Sequence, residues 1–286
     1  MTLPAGSSYQ SDIPVRRSLR SRAAVWVALA VSLLATGVLP AGATSPRAAS
    51  SATLPPIDTS QHVRIMPLGD SITAGIGSST DDGYRWQLAK YLIDVQQLYT
   101  ATWVGSQTSG LQSNPHHEGH SGWTIADLTT GIDGWMATYQ PDVVLLEAGV
   151  NDARQGADAS TMAAHMSALL GRILADSPSV RVIVGDVVPP WYGTQQDVAS
   201  VAVQRFDALL PSVVATAGPQ VSLARMSAGV TSSQLGDGLH PNDAGYWDMA
   251  WVWWRCMAPL LAADGVTRAG VDPLPIPVPQ TTLCPS

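Results

Sequence analysis

The chain has 286 residues, enough for one large domain with a substantial core, and only 13% of them are charged. Its 15 basic residues face 22 acidic ones, a formal charge of −7. Four of the arginines and one acid fall in the first 43 residues, so the remainder carries 11 basic and 21 acidic residues, a balance that argues against nucleic acid or anionic membrane as the main partner.

At the start, Arg16, Arg17, Arg20 and Arg22 precede an apolar run from Ala23 to Leu39, and Ala41-Gly42-Ala43 follows. A basic segment, a short apolar segment and an A-x-A site read as a secretory signal peptide over residues 1–43. The apolar run is 17 residues long with Ser32, Thr36 and Gly37 inside it, which is marginal for spanning a bilayer. The expectation is a secreted, extracellular protein with no stable membrane insertion after cleavage. Residues 44–60 are rich in Ser, Ala, Thr and Pro without periodicity and read as a linker.

One domain then runs over residues 61–263, with no internal repeat. Val63–Leu68 reads as a strand, Tyr84–Gln96 as a helix, Ala101–Val104 as a short strand and Ile125–Tyr139 as a helix. A buried strand at Asp142–Leu146, a helix at Ser160–Leu174, a strand at Val180–Val187 and a helix at Val198–Ala215 follow. Val221–Leu223 is the last strand and Asp243–Leu261 the closing helix. Strands apolar on both faces and separated by helices imply an α/β domain, a parallel sheet covered on both sides. Residues 264–286 hold four prolines at alternate positions from Pro273 and read as an extended tail. Cys256 and Cys284 are the only cysteines; an exported chain can bridge them, two free thiols being the alternative.

Ligands of parallel sheets bind beyond the carboxyl ends of the strands, and four polar clusters fall there. Gly69-Asp70-Ser71 follows the first strand, Glu118-Gly119-His120-Ser121-Gly122 the second, Gly149-Val150-Asn151-Asp152 the third, and Asp237-Gly238-Leu239-His240 the last. Each is weak alone, and together they suit acyl transfer. A serine hydroxyl needs a base to become a nucleophile, and His240 can take its proton and later give it to a leaving alkoxide. Asp237, three residues earlier, can fix the imidazole tautomer. Three donors are candidates for an oxyanion: the N–H of Ser71, the N–H of Gly122 and the Asn151 amide, with Gly119 a flexible neighbour of Gly122. Read blandly, Ser71 caps a helix, Asn151-Asp152 is a turn, Asp237 is a turn residue and His240 sits on the surface. The order Ser…Asp…His in a parallel-sheet chain favours the chemical reading.

These blocks resemble those of the SGNH (GDSL-like) hydrolase superfamily over about Val63 to Trp254. The strings Ile65-Met66-Pro67-Leu68-Gly69-Asp70-Ser71-Ile72-Thr73 and Glu118-Gly119-His120-Ser121-Gly122 resemble the secreted acetylxylan-esterase-like carbohydrate esterases of family three. One departure is Val150, where relatives often carry threonine. The resemblance implies a three-layer α/β/α sandwich with a flavodoxin-like parallel sheet. It also implies ester hydrolysis without metal or other cofactor, with catalytic Ser71, Asp237 and His240 and oxyanion donors Ser71, Gly122 and Asn151. The expected substrate is a small-molecule or polysaccharide ester with a short acyl group. A lipase or phospholipase acting on longer chains and a non-catalytic secreted carbohydrate-binding protein are the alternatives.

His116, His117, Glu118 and His120 read as a loop without the helical i, i+4 spacing of a zinc protease. Asp70 and Asp152 read as braces. Trp86, Trp123, Trp191 and Tyr192 could line a sugar cleft or fill the core, whereas Trp247, Trp251, Trp253 and Trp254 read as packing.

Overall fold

The computed structural model describes residues 54–95, 97–98, 100–191, 198–261 and 279–285. The segment read as a signal peptide, Tyr192 and most of the Pro-rich tail lie outside these described residues. Seven strands appear among them: β1 (Val63–Gly69), β2 (Ala101–Trp103), β3 (Gln107–Thr108), β4 (His116–Gly119), β5 (Val143–Glu147), β6 (Arg181–Gly185) and β7 (Val221–Ala224). The helices are α1 (Ser71–Ala74), α2 (Tyr84–Lys90), α3 (Ile125–Tyr139), α4 (Val150–Arg154), α5 (Ala159–Asp176), α6 (Val198–Ala217), α7 (Met226–Gly229), α8 (Asp243–Leu261) and α9 (Gln280–Leu283).

β1 is the spine of the sheet. On one side it pairs in parallel with β5, which continues through β6 to β7; on the other, β2 takes its first half and β4 its last two residues. Counting β2 and β4 as one broken strand gives the flavodoxin-like order 2-1-3-4-5. The short β3 adds the antiparallel edge, against β4.

Side chains alternate across the sheet as the two-residue period requires. Val63, Ile65, Val143, Leu145 and Ile183 pack with α2 and α8, while Met66, Leu68, Val144, Leu146 and Val182 pack with α3, α5 and α6. Two cores, one on each face, make the expected three layers. Burying each such side chain contributes about 1.5–3 kcal/mol before the entropy of ordering is subtracted. Local signals agree with the packing: Thr124 and Asp127 form a reciprocal capping box that starts α3, and Asp158 caps α5 through the Thr161 N–H.

The structure departs from the sequence reading in four places. The helix read over Tyr84–Gln96 is α-helical only to Lys90 and continues as a π-helical turn over Tyr91–Val95. His116–Gly119, read as loop, is β4; its polar side chains hid a strand whose ladder partners are β1 and β3. The stretch read as linker joins the domain before residue 60, because Ile57 packs on the core and the Pro55 carbonyl accepts from buried Arg181 at 2.7 Å. The tail read as extended ends in the helical turn α9, directly after Pro279, where a proline costs no helical hydrogen bond. Cys256 and Cys284 are bonded, fastening that turn to α8 across a sequence separation of 28, a closure worth roughly 3–4 kcal/mol.

Arg85 is the one fully buried arginine on α2 and was not singled out by the sequence. Its guanidinium donates to the carbonyls of Ala74, Asp81, Ser109 and Pro115 at 2.9–3.3 Å and to Ser109 Oγ at 2.8 Å. One side chain thus ties the loop after α1 to the loop between β3 and β4. Arg85→Met strips these carbonyls of their donor in a place that water does not reach. Urea denaturation should register a loss of about 3–4 kcal/mol; a loss under about 1 kcal/mol would show that the loops hold without it.

Candidate active site

β1 ends at Gly69, and Asp70 caps the next helix by accepting the Ile72 N–H on Oδ1 at 2.9 Å. Ser71 is thereby held at the first position of α1, nearly buried. Its Oγ lies 2.9 Å from His240 Nε2, and His240 Nδ1 lies 2.7 Å from Asp237 Oδ2. Asp237 Oδ1 also accepts the N–H groups of His240 at 2.7 Å and Leu239 at 2.9 Å, so one carboxylate sets both the turn and the ring. Burial pushes the Asp237 carboxyl up, but those N–H groups and the His240 ring outweigh it and hold its pKa at about 2. An ionised Asp237 requires the proton on Nδ1, which leaves Nε2 to accept from the Ser71 hydroxyl.

The second cluster turns from His120 to Trp123, closed by the Trp123 N–H on the His120 carbonyl at 3.1 Å. Gly122 occupies the position of that turn that needs positive φ, at +84°, and a Cβ there would meet nothing within 4 Å. Neither the Ser71 N–H nor the Gly122 N–H has an acceptor among the described residues. Asn151, in α4, spans the two segments: its Nδ2 donates to the Trp123 carbonyl at 2.9 Å and approaches Asp70 Oδ2 at 3.3 Å. Asp152 Oδ2 accepts the Ile125 N–H at 2.9 Å, which anchors the start of α3. Asp70 and Asp152 are thus backbone braces. The structure brings Ser71, His240 and Asp237 into one hydrogen-bonded line, and Asn151 joins Asp70, the residue before Ser71, to Trp123, the residue after Gly122.

The histidine cluster has other partners. His117 accepts the Gly119 N–H on Nδ1 and meets Ser109 Oγ through Nε2 at 2.8 Å; burial, with the Arg85 charge, lowers its pKa to about 3. Glu118 holds Ser106 and His120, and the His120 ring packs against Trp123 and Trp135 at 4.2 and 4.9 Å, with the two indoles 6.2 Å apart. Trp123 is therefore a brace for the Gly122 turn. Trp251, Trp253 and Trp254 are core, but Trp247 is half exposed, which corrects its reading as packing: it falls on the outward side of α8.

A set of buried acids escaped the sequence reading. Glu147 at the end of β5, Asp186 after β6 and Asp207 on α6 are buried at the same edge of the sheet. Burial, then the neighbouring Asp186 charge, raises Asp207 to about 8, while Asp186 is held by Ser227 and Arg225. Burial, then Asp70, Asp186 and Asp207, raises Glu147 well above the usual range. No pattern in sequence separates such acids from solvated ones; only their packing does.

The fold and this arrangement define a class, the serine ester hydrolases built on a flavodoxin-like sheet. Residues 68–247 match the GDSL-like lipase/acylhydrolase family, and the chain belongs to it. It is 29% identical over 285 residues to a multidomain esterase of Ruminococcus flavefaciens, covering 88% of this chain and 34% of that protein, so it spans about a third of that relative's length. Esterase TesA of Pseudomonas aeruginosa is 25% identical over 203 residues, 69% of this chain and 89% of the relative. Among solved structures, a family 3 carbohydrate esterase of Clostridium thermocellum is 33% identical with a TM-score of 0.59, over 68% of this chain and 94% of the other. A family 3 carbohydrate esterase from Talaromyces cellulolyticus is 28% identical with a TM-score of 0.58, over 67% and 94%.

The buried acids predict a pH dependence of stability. A carboxyl whose folded pKa is raised binds a proton that the unfolded chain releases, so stability falls as pH rises from about 4 and the loss is complete above about 8. Asp207→Asn keeps the acceptor for the Val187 N–H and removes the charge. Its melting temperature should match the parent's near pH 4 and exceed it by several degrees at pH 8. Parallel profiles for the two proteins would place the Asp207 proton elsewhere.

Proposed function

We propose that this chain is a secreted serine esterase that removes short acyl groups, acetyl above all, from carbohydrate. The observation that carries the reading is the continuous line from Ser71 Oγ through His240 to Asp237, at 2.9 and 2.7 Å. In this reading Ser71 Oγ attacks the ester carbonyl carbon as its proton passes to His240 Nε2. The tetrahedral oxyanion takes hydrogen bonds from the N–H groups of Ser71 and Gly122. Asn151 joins them by turning its long 3.3 Å contact away from Asp70 toward the oxyanion. His240 then hands the proton to the leaving alkoxide, and an acyl–Ser71 intermediate remains. Water, deprotonated by the same imidazole, releases the acid and restores the serine. Ionised Asp237 stabilises the imidazolium in both halves.

Support for the acyl group and the alcohol comes from the relatives. Two solved structures at 33% and 28% identity are family 3 carbohydrate esterases, and an acetyl esterase mutant described with an acetate ion is 28% identical with a TM-score of 0.56. Export is supported by the basic and apolar segments ahead of Ala41-Gly42-Ala43 and agrees with the Cys256–Cys284 bond.

Hydrolysis of p-nitrophenyl acetate tests the chemistry. Ser71→Ala should lower kcat by at least about 10⁴-fold, and Asn151→Ala by roughly 10²–10³-fold with KM little changed. Equal rates for Ser71→Ala and the parent would end the assignment. A series of esters from acetate to palmitate should peak at the short end; a maximum at long chains would make the protein a lipase.

A further inference from the structure

The segment after α1 runs back along the loop that carries His240. The Ile76 N–H donates to the Ser71 carbonyl, the Ser79 N–H donates to Asp243 Oδ1 at 2.8 Å, and a Cβ on Gly77 would stand 2.8 Å from that of His240. Against this seam opens a cleft of about 380 Å³, flanked by Trp86 of α2 and Trp247 of α8, with Ser79, Asp82 and Asp243 on its walls. Trp86 also lines a second cavity of about 280 Å³ that reaches Ile93, Trp103 and Asn114. Trp86 is common to both cavities, and through it they define a track whose first part lies against the segment packed on the His240 loop.

The track concentrates exposed apolar surface. Trp86 is 47% exposed, Trp247 49%, Ile93 43% and Leu111 80%, half of the large apolar side chains that stand out among the described residues. An exposed patch of this kind marks a binding surface. Its chemistry discriminates among ligands. The Ser78, Ser79 and Thr80 hydroxyls, the Asp243 carboxylate and the Gln112 and Asn114 amides share the walls with the indoles, which matches sugar rings, apolar on their faces and polar on their rims. An acyl chain would leave the hydroxyls and amides of the walls without partners, and an anionic chain would meet the Asp243 carboxylate.

We propose that this track, with Trp86 common to its two cavities and Trp247 on the one against the His240 loop, binds the main chain of a polysaccharide whose acyl ester reacts at Ser71. The inference rests on the esterase reading above for what happens to the ester, though not for the binding itself. Because His240 returns the proton to the leaving alkoxide, the alcohol part of the substrate must lie on the His240 side, where the track begins. Several sugar rings, and not the acetylated one alone, then set affinity.

Two measurements test it. On acetylated xylo-oligosaccharides of one to six sugars, kcat/KM of the parent should rise with length. Trp86→Ala and Trp247→Ala should lower it on the hexamer roughly tenfold, through KM, while p-nitrophenyl acetate turnover stays within about twofold; Trp86→Phe should recover most of the loss. Equal losses on both substrates, no loss on either, or a selective loss on p-nitrophenyl octanoate would overturn the proposal. The second measurement is calorimetric titration of Ser71→Ala with xylo-, manno- and cellohexaose. Binding to at least one, weakened roughly tenfold by Trp86→Ala, is expected, and no Trp86-dependent binding to any of the three overturns the track. A parent that cleaves no ester but binds through Trp86 would refute the esterase reading and leave the track standing.

Discussion

At the carboxyl end of β1 three strands stand level, with Gly69 paired to Gly119 of β4 and to Glu147 of β5. No side chain fits at either glycine. A Cβ on Gly69 would lie 2.2 Å from the Glu147 carbonyl oxygen and 2.5 Å from Thr73 Oγ1, and one on Gly119 would lie 2.6 Å from the Ala74 nitrogen. Helix α1 therefore rests directly on the edge of the sheet, and its first residue, Ser71, projects at the point where the strand order reverses. The same closeness puts the His120 N–H on the Gly69 carbonyl at 2.9 Å, which starts the Gly122 turn at the level of the serine. Asn151, from the next strand over, then needs to cross only one gap to touch both.

Such a crowded edge buries polar groups, and the chain handles them in two ways. Asp70, Asp152 and the terminal nitrogens of Arg85 are matched to backbone N–H or carbonyl groups and so define loop paths. Glu147 is treated otherwise: both its oxygens lack a partner among the described residues, and burial shifts it toward the protonated form. A neutral acid is the state that serves an oxyanion chemistry. A full negative charge beneath Ser71 would oppose the charge that develops on the substrate, in surroundings that screen it poorly.

The sequence made the central architecture readable because β1, β5 and β6 are apolar on both faces, a pattern that surface strands do not carry. Of the residues now seen in one hydrogen-bonded line, Ser71 was readable because it follows β1, and Asp237 and His240 because they stand three apart beyond the last strand, with α7 in between. β4 was not, since His116, His117 and Glu118 look solvated and are made strand-like by ladder partners distant in sequence. Arg85 and Glu147 were opaque for the same reason: an arginine in a helix and a glutamate after a strand look ordinary until packing removes their water. Trp247 failed in the opposite direction. It shares α8 with three tryptophans of the helix's own buried side, and only the placement of α2 and the loop after α1 shows that it faces out.

The two cores divide the site between them. Helices α3 and α4 carry the Gly122 turn and Asn151 and belong to one face of the sheet, whereas α2 and α8 carry the His240 flank, Trp86 and Trp247 and belong to the other. Ser71 stands between them on the sheet edge. A carbonyl held at Ser71 with its oxygen toward Gly122 has its leaving oxygen turned toward His240, because the nucleophile, oxyanion and leaving group occupy different corners of one tetrahedron. In the proposed reaction, the face that would stabilise charge is therefore fixed by a tight turn and buried braces, while the face proposed to meet the alcohol can change its aromatic lining without disturbing the donors.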